Sequence, residues 1–248
     1  MLFRSLPHAV AAQKFVLLAL IGILGSSCTA DRDPISPLDP ATGRAYYPLA
    51  VGRFWEYDVE EHHWNYNRDS VIRFQVRERV DTTYNGATGE LNYRLVRARR
   101  ADANATWRDD SAVAIVLTPS LVHRTFANRP TIELVFPVVE GRSWNPNLFN
   151  AADSTSRTYS RVGQAQTLAT GLVFPQTLRV ADEANVTAVG RSESEAVYAW
   201  NVGRIYQRHT RLDYCNQTDV TAGLCQIGTG YIVRGTERIE QLRTWGPR

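Results

Sequence analysis

The stretch "VIRFQVRERVDTTYNGATGELNYRLV", residues 71–96, alternates apolar and polar side chains on both sides of an Asn-Gly pair. Between Ile72 and Val80, every second position except Glu78 is apolar, and the positions in between are arginine or glutamine. A period of two is typical of a strand with one buried face. Asn85-Gly86 predicts a two-residue type I′ turn, in which both central residues need positive φ. The stretch therefore predicts an antiparallel hairpin.

A two-residue loop fixes the register of this predicted hairpin. Val80 then faces Leu91, and Arg77 lies opposite Arg94 on the outer face. With Arg73 on the same face, the three arginines form a candidate anion-binding patch, for example for a headgroup phosphate. The alternative is a solvated patch without function.

Eight further segments show strand-like patterns between Gly, Pro, Asn and Asp turns. They are residues 111–118, 121–126, 131–136, 159–169, 172–180, 195–200, 204–214 and 231–242. Ten or more strands with few helices predict a mainly β fold, one antiparallel sheet that curls into a sandwich or an open barrel. Residues 46–246 are predicted to form a single β domain.

A Gly-Arg-x-aromatic motif occurs three times and begins at Gly52, Gly141 and Gly203. Each copy stands where a turn meets an alternating segment, which predicts a strand start. Glycine permits positive φ at the turn, and the aromatic residue enters the core while the arginine points outward. The alternative is an arginine-aromatic cage for a ligand, built from the three copies.

The N-terminus has the pattern of an export signal. A basic leader precedes an apolar run at residues 15–25, which is too short to span a membrane and predicts one short signal helix over residues 1–27. Ser26-Ser27 before Cys28 is typical of a lipidated cysteine, although the usual leucine position holds Gly25. Cleavage after Ala30 without a lipid is the alternative. Residues 28–45, rich in proline and charge, are predicted to be a disordered tether.

Charge and cysteine content narrow the possible partners. Without residues 1–27 the chain keeps 26 arginines and 25 acidic residues, a formal charge of +1, and this balance predicts no nucleic-acid partner. Cys215 and Cys225 remain after Cys28. In an exported chain this pair predicts a disulfide, since a metal site would need further ligands and only His209 is near.

Two boxes, Tyr/Phe-Pro-Leu/Val-x-x-Gly-x-x-Trp at residues 47–55 and 136–144, resemble those of uncharacterised exported lipoproteins of Gram-negative bacteria. "SWNPNLFN", "TGLVFPQTLRV", "YAWNVGRIY" and the late Cys215…Cys225-Gln-Ile-Gly add to the resemblance, which covers roughly residues 46–243. The resemblance implies a mostly β domain on the cell envelope, and it brings no catalytic residues.

No segment carries a recognisable catalytic motif, and we predict no catalytic residue, no metal and no cofactor. "EEHH", residues 60–63, would need further ligands to hold zinc, and His123 and His209 are lone histidines on predicted strands. Two functions stay open. One is a non-catalytic envelope lipoprotein that binds a lipid, a glycan or a partner protein. The other is a hydrolase that acts on glycans. Both place the chain on the bacterial envelope, at the outer rather than the inner membrane, facing the periplasm or the exterior.

Overall fold

The computed structural model describes residues 42–87 and 89–247. The predicted signal helix, Cys28 and most of the predicted tether lie outside the described residues. A single 3₁₀ turn at Arg44–Tyr46 precedes the strands. The strands are β1 Phe54–Asn65, β2 Arg68–Asn85, β3 Leu91–Arg100, β4 Arg108–Leu117, β5 Leu121–Phe126, β6 Arg129–Val135, β7 Ser143–Trp144, β8 Arg157–Thr167, β9 Val173–Asp182, β10 Asn185–Thr187, β11 Gly190–Ala199, β12 Gly203–Tyr214 and β13 Ile232–Gly246, and helix α1 spans Gln217–Thr221.

All of these strands belong to one antiparallel sheet. Its order is β6-β5-β4-β3-β2-β1-β13-β12-β11-β9-β8-β7, and β10 pairs with β11. The predicted fold class is confirmed, because the fold is mainly β and its one antiparallel sheet is nearly closed into a barrel.

Side chains of β7 and β8 bring the two edges of the sheet together. The Tyr159 hydroxyl lies 2.8 Å from both the amide nitrogen and the carbonyl oxygen of Val135 in β6. Trp144 Nε1 donates to the Ile132 carbonyl oxygen at 3.2 Å, and Arg157 Nη1 donates to the same oxygen at 3.0 Å. Exposed strand edges invite pairing with other chains, so these bonds cap the edge groups that the strand ladder leaves open.

The described chain begins at one end of the barrel, which we call the Thr42 end. The Thr42 carbonyl oxygen accepts from Val138, and the Ala45 carbonyl oxygen accepts from Asn201 in the turn between β11 and β12. The far ends of β11 and β12, where Ser192 pairs with Arg211, lie at the opposite end. This opposite end carries the site described below.

The repeated glycine motif starts strands, as predicted. Gly52, Gly141 and Gly203 have φ of 88°, 76° and 103°, and β1, β7 and β12 begin at or just after them. Trp55 from the first copy is buried and donates from Nε1 to the carbonyl oxygen of Val202, the residue before the third copy. The three copies form no common ligand cage, because their glycines and aromatic residues serve turns and core packing.

One part of the motif prediction is wrong. The arginine of the third copy, Arg204, points into the barrel, and its side chain is only 10% exposed. β11 and β12 shift register next to this residue, so that Tyr198 pairs with Arg204 and Val197 pairs with Tyr206. The extra residue of this bulge turns the Arg204 side chain to the inner face.

The predicted register of the β2–β3 hairpin is also wrong. Val80 pairs with Leu95 instead of Leu91, and Arg77 lies opposite Ala98 instead of Arg94. Asn85 and Gly86 do not form the type I′ turn, since neither has positive φ. β2 ends at Asn85, β3 begins at Leu91, and Gly89 between them has a φ of 85°. A bulge at Asp81 adjusts the pairing, and Leu95 is fully buried against the core while Leu91 stays exposed.

The connection between β12 and β13 holds a disulfide between Cys215 and Cys225. Helix α1 lies within this loop and begins with a capping box, in which the Asn216 side chain accepts from the backbone of Thr218 and Asp219. None of the helices in the described residues is long and apolar enough to cross a membrane.

Candidate functional site

A polar cavity of about 590 Å³ lies inside the barrel at the end opposite Thr42. It reaches the surface beside Arg129, Ser192 and Arg211, which are exposed. Hydroxyl, amide and charged side chains make up most of its wall. They include Thr131, Asn147, Thr155, Ser192, Ser194, Gln207, Thr236, Arg129, Arg157, Arg211, Arg238, Glu61, Glu133, Asp182 and His209.

Strand alternation explains this lining. Ser192, Ser194, Ala196 and Tyr198 of β11 are spaced two apart, and so are Gln207, His209 and Arg211 of β12. Side chains two apart on a strand share one face, which here is the inner face of the barrel.

The four carboxylates of the cavity wall already accept hydrogen bonds, and Glu193 accepts from Arg191 at 2.7 Å. Asp182 accepts two bonds from Arg157, at 2.5 and 3.0 Å. Glu133 accepts the Tyr198 hydroxyl at 2.9 Å. Glu61 forms an ion pair with Arg238, with 3.3 Å between Oε2 and Nη1.

Two arginines of the wall have no carboxylate partner among the described residues. Arg129 donates to the Asn147 side-chain oxygen at 3.3 Å, and the Arg211 guanidinium makes no ion pair. Asp182, Glu61 and Glu193 are therefore neutralised by arginines and Glu133 is held by a tyrosine hydroxyl, while Arg129 and Arg211 stay available to a ligand.

His209 stands between these groups, with Nε2 2.6 Å from the Gln207 side-chain nitrogen. Its ring is accessible from the cavity but is surrounded by the barrel wall. Burial lowers the pKa of His209, and the charge of Arg204 lowers it further. A neutral imidazole offers one donor and one acceptor, which suits a polar neutral or hydroxyl-bearing group.

Towards the Thr42 end, the cavity gives way to a buried charge network. Glu78 and Glu240 are each 5% exposed at the side chain. Glu78 accepts from Arg124 at 2.6 Å and from Arg204 at 3.5 Å. Glu240 accepts from Arg97 and Arg204, both at 3.1 Å, and from Arg238 at 2.8 Å.

The protonation state of this network follows from two opposing effects. Burial raises the pKa of Glu78, but the charges of Arg124, Arg204 and Arg97 outweigh burial, and the pKa falls well below its ordinary range. The pKa of Glu240 is also lowered, because the charges of Arg204, Arg97 and Arg238 outweigh the effect of its burial. Both side chains are carboxylates at neutral pH, and the network is an array of ion pairs.

Each of the three arginines of the predicted anion patch contacts a different residue. Arg73 pairs with Glu60 at 2.7 Å, and Arg94 pairs with Asp81. Arg77 lies over the Trp107 ring, 4.8 Å from its centre. The register that put Arg77 opposite Arg94 is not formed, and anion binding by these residues stays a prediction.

The histidines of "EEHH" lie on β1 in local ion pairs. His62 bonds to Asp69 at 2.7 Å and to Glu60 at 3.0 Å, and it stacks on Trp64. His63 lies 3.5 Å from Glu61. Across residues 42–87 and 89–247, no group of three or more His, Cys, Asp or Glu side chains converges in a way that could hold a metal ion.

The sequence carried one signal for the buried network. Glu78 falls in phase with Val76 and Val80, and Arg124 falls in phase with Val122. A charged residue at an apolar position predicts an interior partner, since a buried charge is tolerated only when paired. The partners themselves lie 46 to 126 residues away in sequence, which no local pattern reveals.

No protein-family model matches this chain, and no curated protein matches it. Two solved structures show a distant likeness. One is a Bacteroides fragilis protein described as exported with a YmcC-like fold, at 9% identity and a TM-score of 0.40. The other is a Parabacteroides distasonis protein described as a lipoprotein, at 7% identity and 0.34. Each covers 80% of this chain and 98% of its own. TM-scores below 0.5 carry no inference about function.

Proposed function

We propose that this protein is an envelope-anchored lipoprotein that binds a hydrophilic ligand without catalysis, in the cavity opposite the Thr42 end. The ligand class that fits is a glycan that carries an acidic group. The observation that carries the proposal is the composition of the cavity wall, which combines hydroxyl and amide groups with two arginines that lack a carboxylate partner.

A polar wall favours a glycan over a lipid chain. An acyl chain in this cavity would leave the serine, threonine, asparagine and glutamine groups without hydrogen bonds, which costs free energy for each buried group. Sugar hydroxyls can satisfy these groups, and Arg129 and Arg211 can neutralise a carboxylate.

The state of the cavity carboxylates supports a binding role over hydrolysis. Glycoside hydrolysis needs one carboxyl group that carries a proton and a second that attacks or activates water. Asp182, Glu133 and Glu61 each already accept from an arginine or a tyrosine hydroxyl. These hydrogen bonds and ion pairs stabilise the cavity wall.

The position of the chain start supports the anchoring part of the proposal. Thr42, the first described residue, lies at one end of the barrel, and the cavity opens at the other end. A lipid on Cys28 would therefore leave the cavity open to the compartment that the protein faces.

Calorimetric titration of the protein tests the ligand class. The probes are a uronic-acid oligosaccharide, a neutral oligosaccharide of equal length and a short-chain phospholipid below its micelle concentration. We expect binding of the acidic oligosaccharide and about tenfold or greater weakening in Arg211→Gln. The matched control is Arg243→Gln, an outer-face arginine paired with Asp58, which should bind like the original protein. Binding of the phospholipid alone, or of none of the three, would contradict the proposal.

Cell fractionation tests the anchor. We expect Cys28→Ala to move the protein from the membrane fraction to the soluble fraction, and the intact mass of the original protein to include acyl chains. Equal membrane association of both proteins in low and high salt would overturn the lipid anchor and leave the cavity proposal standing.

A further inference from the structure

One side of the barrel extends outward at the mouth of the cavity as a sheet of four strand ends, which we call the tongue. Pairing between β2 and β3 stops at Gln75 and Arg100, whereas pairing between β1 and β13 continues to Asn65 and Arg234. The ends of β11 and β12 pair alongside. The tongue therefore consists of residues 61–65, 190–194, 209–213 and 234–238.

Side chains on the inner face of the tongue form three rows across its strands. Cross-strand partners lie side by side on one face, and residues two apart on a strand share that face. From the cavity outward, the rows contain the pairs Arg238 with His209, Thr236 with Arg211, and Arg234 with Asp213, and β1 and β11 add one residue to each row. The first and last rows are four residues apart, which is about 13 Å along the strands.

The two outer rows line a second space of about 380 Å³, which we call the trough. Arg211 and Thr236 line both the cavity and the trough, so the trough begins where the cavity ends. The trough is also lined by His63, Asp213 and Arg234 of the same rows. A ligand that fills the cavity can therefore continue along the protein into the trough.

The inner end of the cavity is closed by the buried charge network. Along β13, the inward-facing side chains lose exposure from the mouth towards the Thr42 end. Arg234 and Thr236 are exposed, Arg238 is partly exposed, and Glu240 and Leu242 are buried. A chain-like ligand must therefore enter the cavity with one of its ends.

The charges of the trough are balanced except at Arg211. Arg234 Nε lies 2.6 Å from Asp213 Oδ2, and His63 lies 3.5 Å from Glu61. Arg211 has no carboxylate partner among the described residues, and it stands where the cavity and the trough meet. An acidic group is therefore favoured at this junction. Further out, the polar side chains suit hydroxyl groups, which both donate and accept hydrogen bonds.

We propose that the cavity and the trough together bind one end of an acidic oligosaccharide chain. The terminal residue lies in the cavity, an acidic group lies at Arg211, and the following residues leave through the trough. This inference rests on the proposed function and adds that the ligand is a chain of several sugar residues, held by its end. Each residue that reaches the trough adds hydrogen bonds, so affinity should rise with chain length until the trough is full.

Calorimetric titration with a uronic-acid disaccharide and the corresponding hexasaccharide tests the trough. We expect the hexasaccharide to bind the original protein about tenfold more tightly than the disaccharide. The double variant Asp213→Ala with Arg234→Ala should lose this gain and keep the affinity for the disaccharide. The matched control is Asp58→Ala with Arg243→Ala, an ion pair on the outer face, which should keep both affinities.

The outcomes separate this inference from the proposed function. Equal affinities of the two oligosaccharides for the original protein would overturn the trough and leave the cavity proposal standing. The same holds for a trough variant that loses no affinity, or that loses the same factor for both lengths. Binding of neither oligosaccharide to the original protein would contradict the proposed function and this inference with it.

Competition with a long polyuronic acid tests binding by the chain end. A site that holds chain ends responds to the number of chains. At an equal molar concentration of chains, the polymer should displace a labelled hexasaccharide as well as the free hexasaccharide does, and at equal mass it should displace far less. Displacement in proportion to mass, or none at an equal number of chains, would overturn the end-on arrangement.

Discussion

Arg124 Nη2 donates to Glu78 Oε1 at 2.6 Å inside the barrel, between side chains that are 12% and 5% exposed. The two residues lie on β5 and β2, which are not neighbours in the sheet order. Their bond therefore crosses the interior and ties two parts of the wall together, in addition to the ladder bonds that run around it. Arg204 of β12 joins the same carboxylate from a third direction.

Replacing Glu78 by glutamine should strongly destabilise the fold. The change removes the counter-charge of Arg124 and Arg204 in a buried place, for which we expect a loss of about 3–5 kcal/mol in the free energy of unfolding, measured by urea titration. Glu60→Gln is the control, since Glu60 pairs with Arg73 on the exposed surface and should lose less than about 1 kcal/mol. Similar losses in both variants would contradict a special role for the buried network.

Stability should decrease in acid because of the same carboxylate. The pKa of folded Glu78 is well below the value of about 4.3 for an unfolded glutamate. A folded pKa below the unfolded one gives stability that is complete above about pH 5 and is lost as the pH falls towards the folded pKa. Urea midpoints measured from pH 7 to pH 3 should fall in the acid range, with a flatter profile in Glu78→Gln. Identical profiles in the two proteins would contradict the role of Glu78 in the loss of stability in acid.

The pKa of His62 should lie above the ordinary histidine value, and the pKa of His209 should lie below it. The hydrogen bond to Asp69 raises the pKa of His62, with a smaller contribution from Glu60, whereas burial and then Arg204 lower the pKa of His209. Proton NMR titration, with assignment by His62→Gln and His209→Gln, measures both. We expect the His209 ring to be mostly neutral at pH 6.5 and the His62 ring to be mostly protonated. The reverse order would contradict the lowering of the His209 pKa by the surrounding wall and by Arg204.

Gly203 should tolerate alanine less well than Gly52. Both glycines have positive φ, which strains any L side chain by about 1–2 kcal/mol. A Cβ at Gly203 would also stand 3.0 Å from Trp55 Nε1, while a Cβ at Gly52 meets nothing within 4 Å. Urea unfolding should show the larger loss for Gly203→Ala, together with a change in tryptophan fluorescence. Equal losses would mean that Trp55 moves aside without cost.

Loss of the disulfide should weaken the loop between β12 and β13. The bond closes a loop with a sequence separation of 10 residues, worth roughly 2.5–3 kcal/mol in the loop-entropy description. We expect the double variant Cys215→Ser with Cys225→Ser to lose about this amount in urea unfolding. Non-reducing peptide mapping of the original protein should show one linked pair, and two free thiols would contradict the pairing.

The sequence alone determined most of the strands and how three of them, β1, β7 and β12, begin. The period of two around Phe74 and Val76, and the glycines at positions 52, 141 and 203, are local properties that need no partner strand. Local patterns therefore predicted a mainly β, antiparallel fold and the turns of the repeated motif.

The tertiary structure decided the register and the interior. Up to Val80 the observed pairing differs from the predicted one by four residues, an even shift that keeps each of these side chains on its own face, so alternation cannot distinguish Leu91 from Leu95 as the partner of Val80. Burial of Leu95 and the bulge at Asp81 make that choice. In the same way, Glu78 was visible as a charge on an apolar face, but only closure of the barrel brings Arg124 and Arg204 to it. Long-range closure also forms the cavity opposite the Thr42 end, because its wall comes from strands that are distant in sequence.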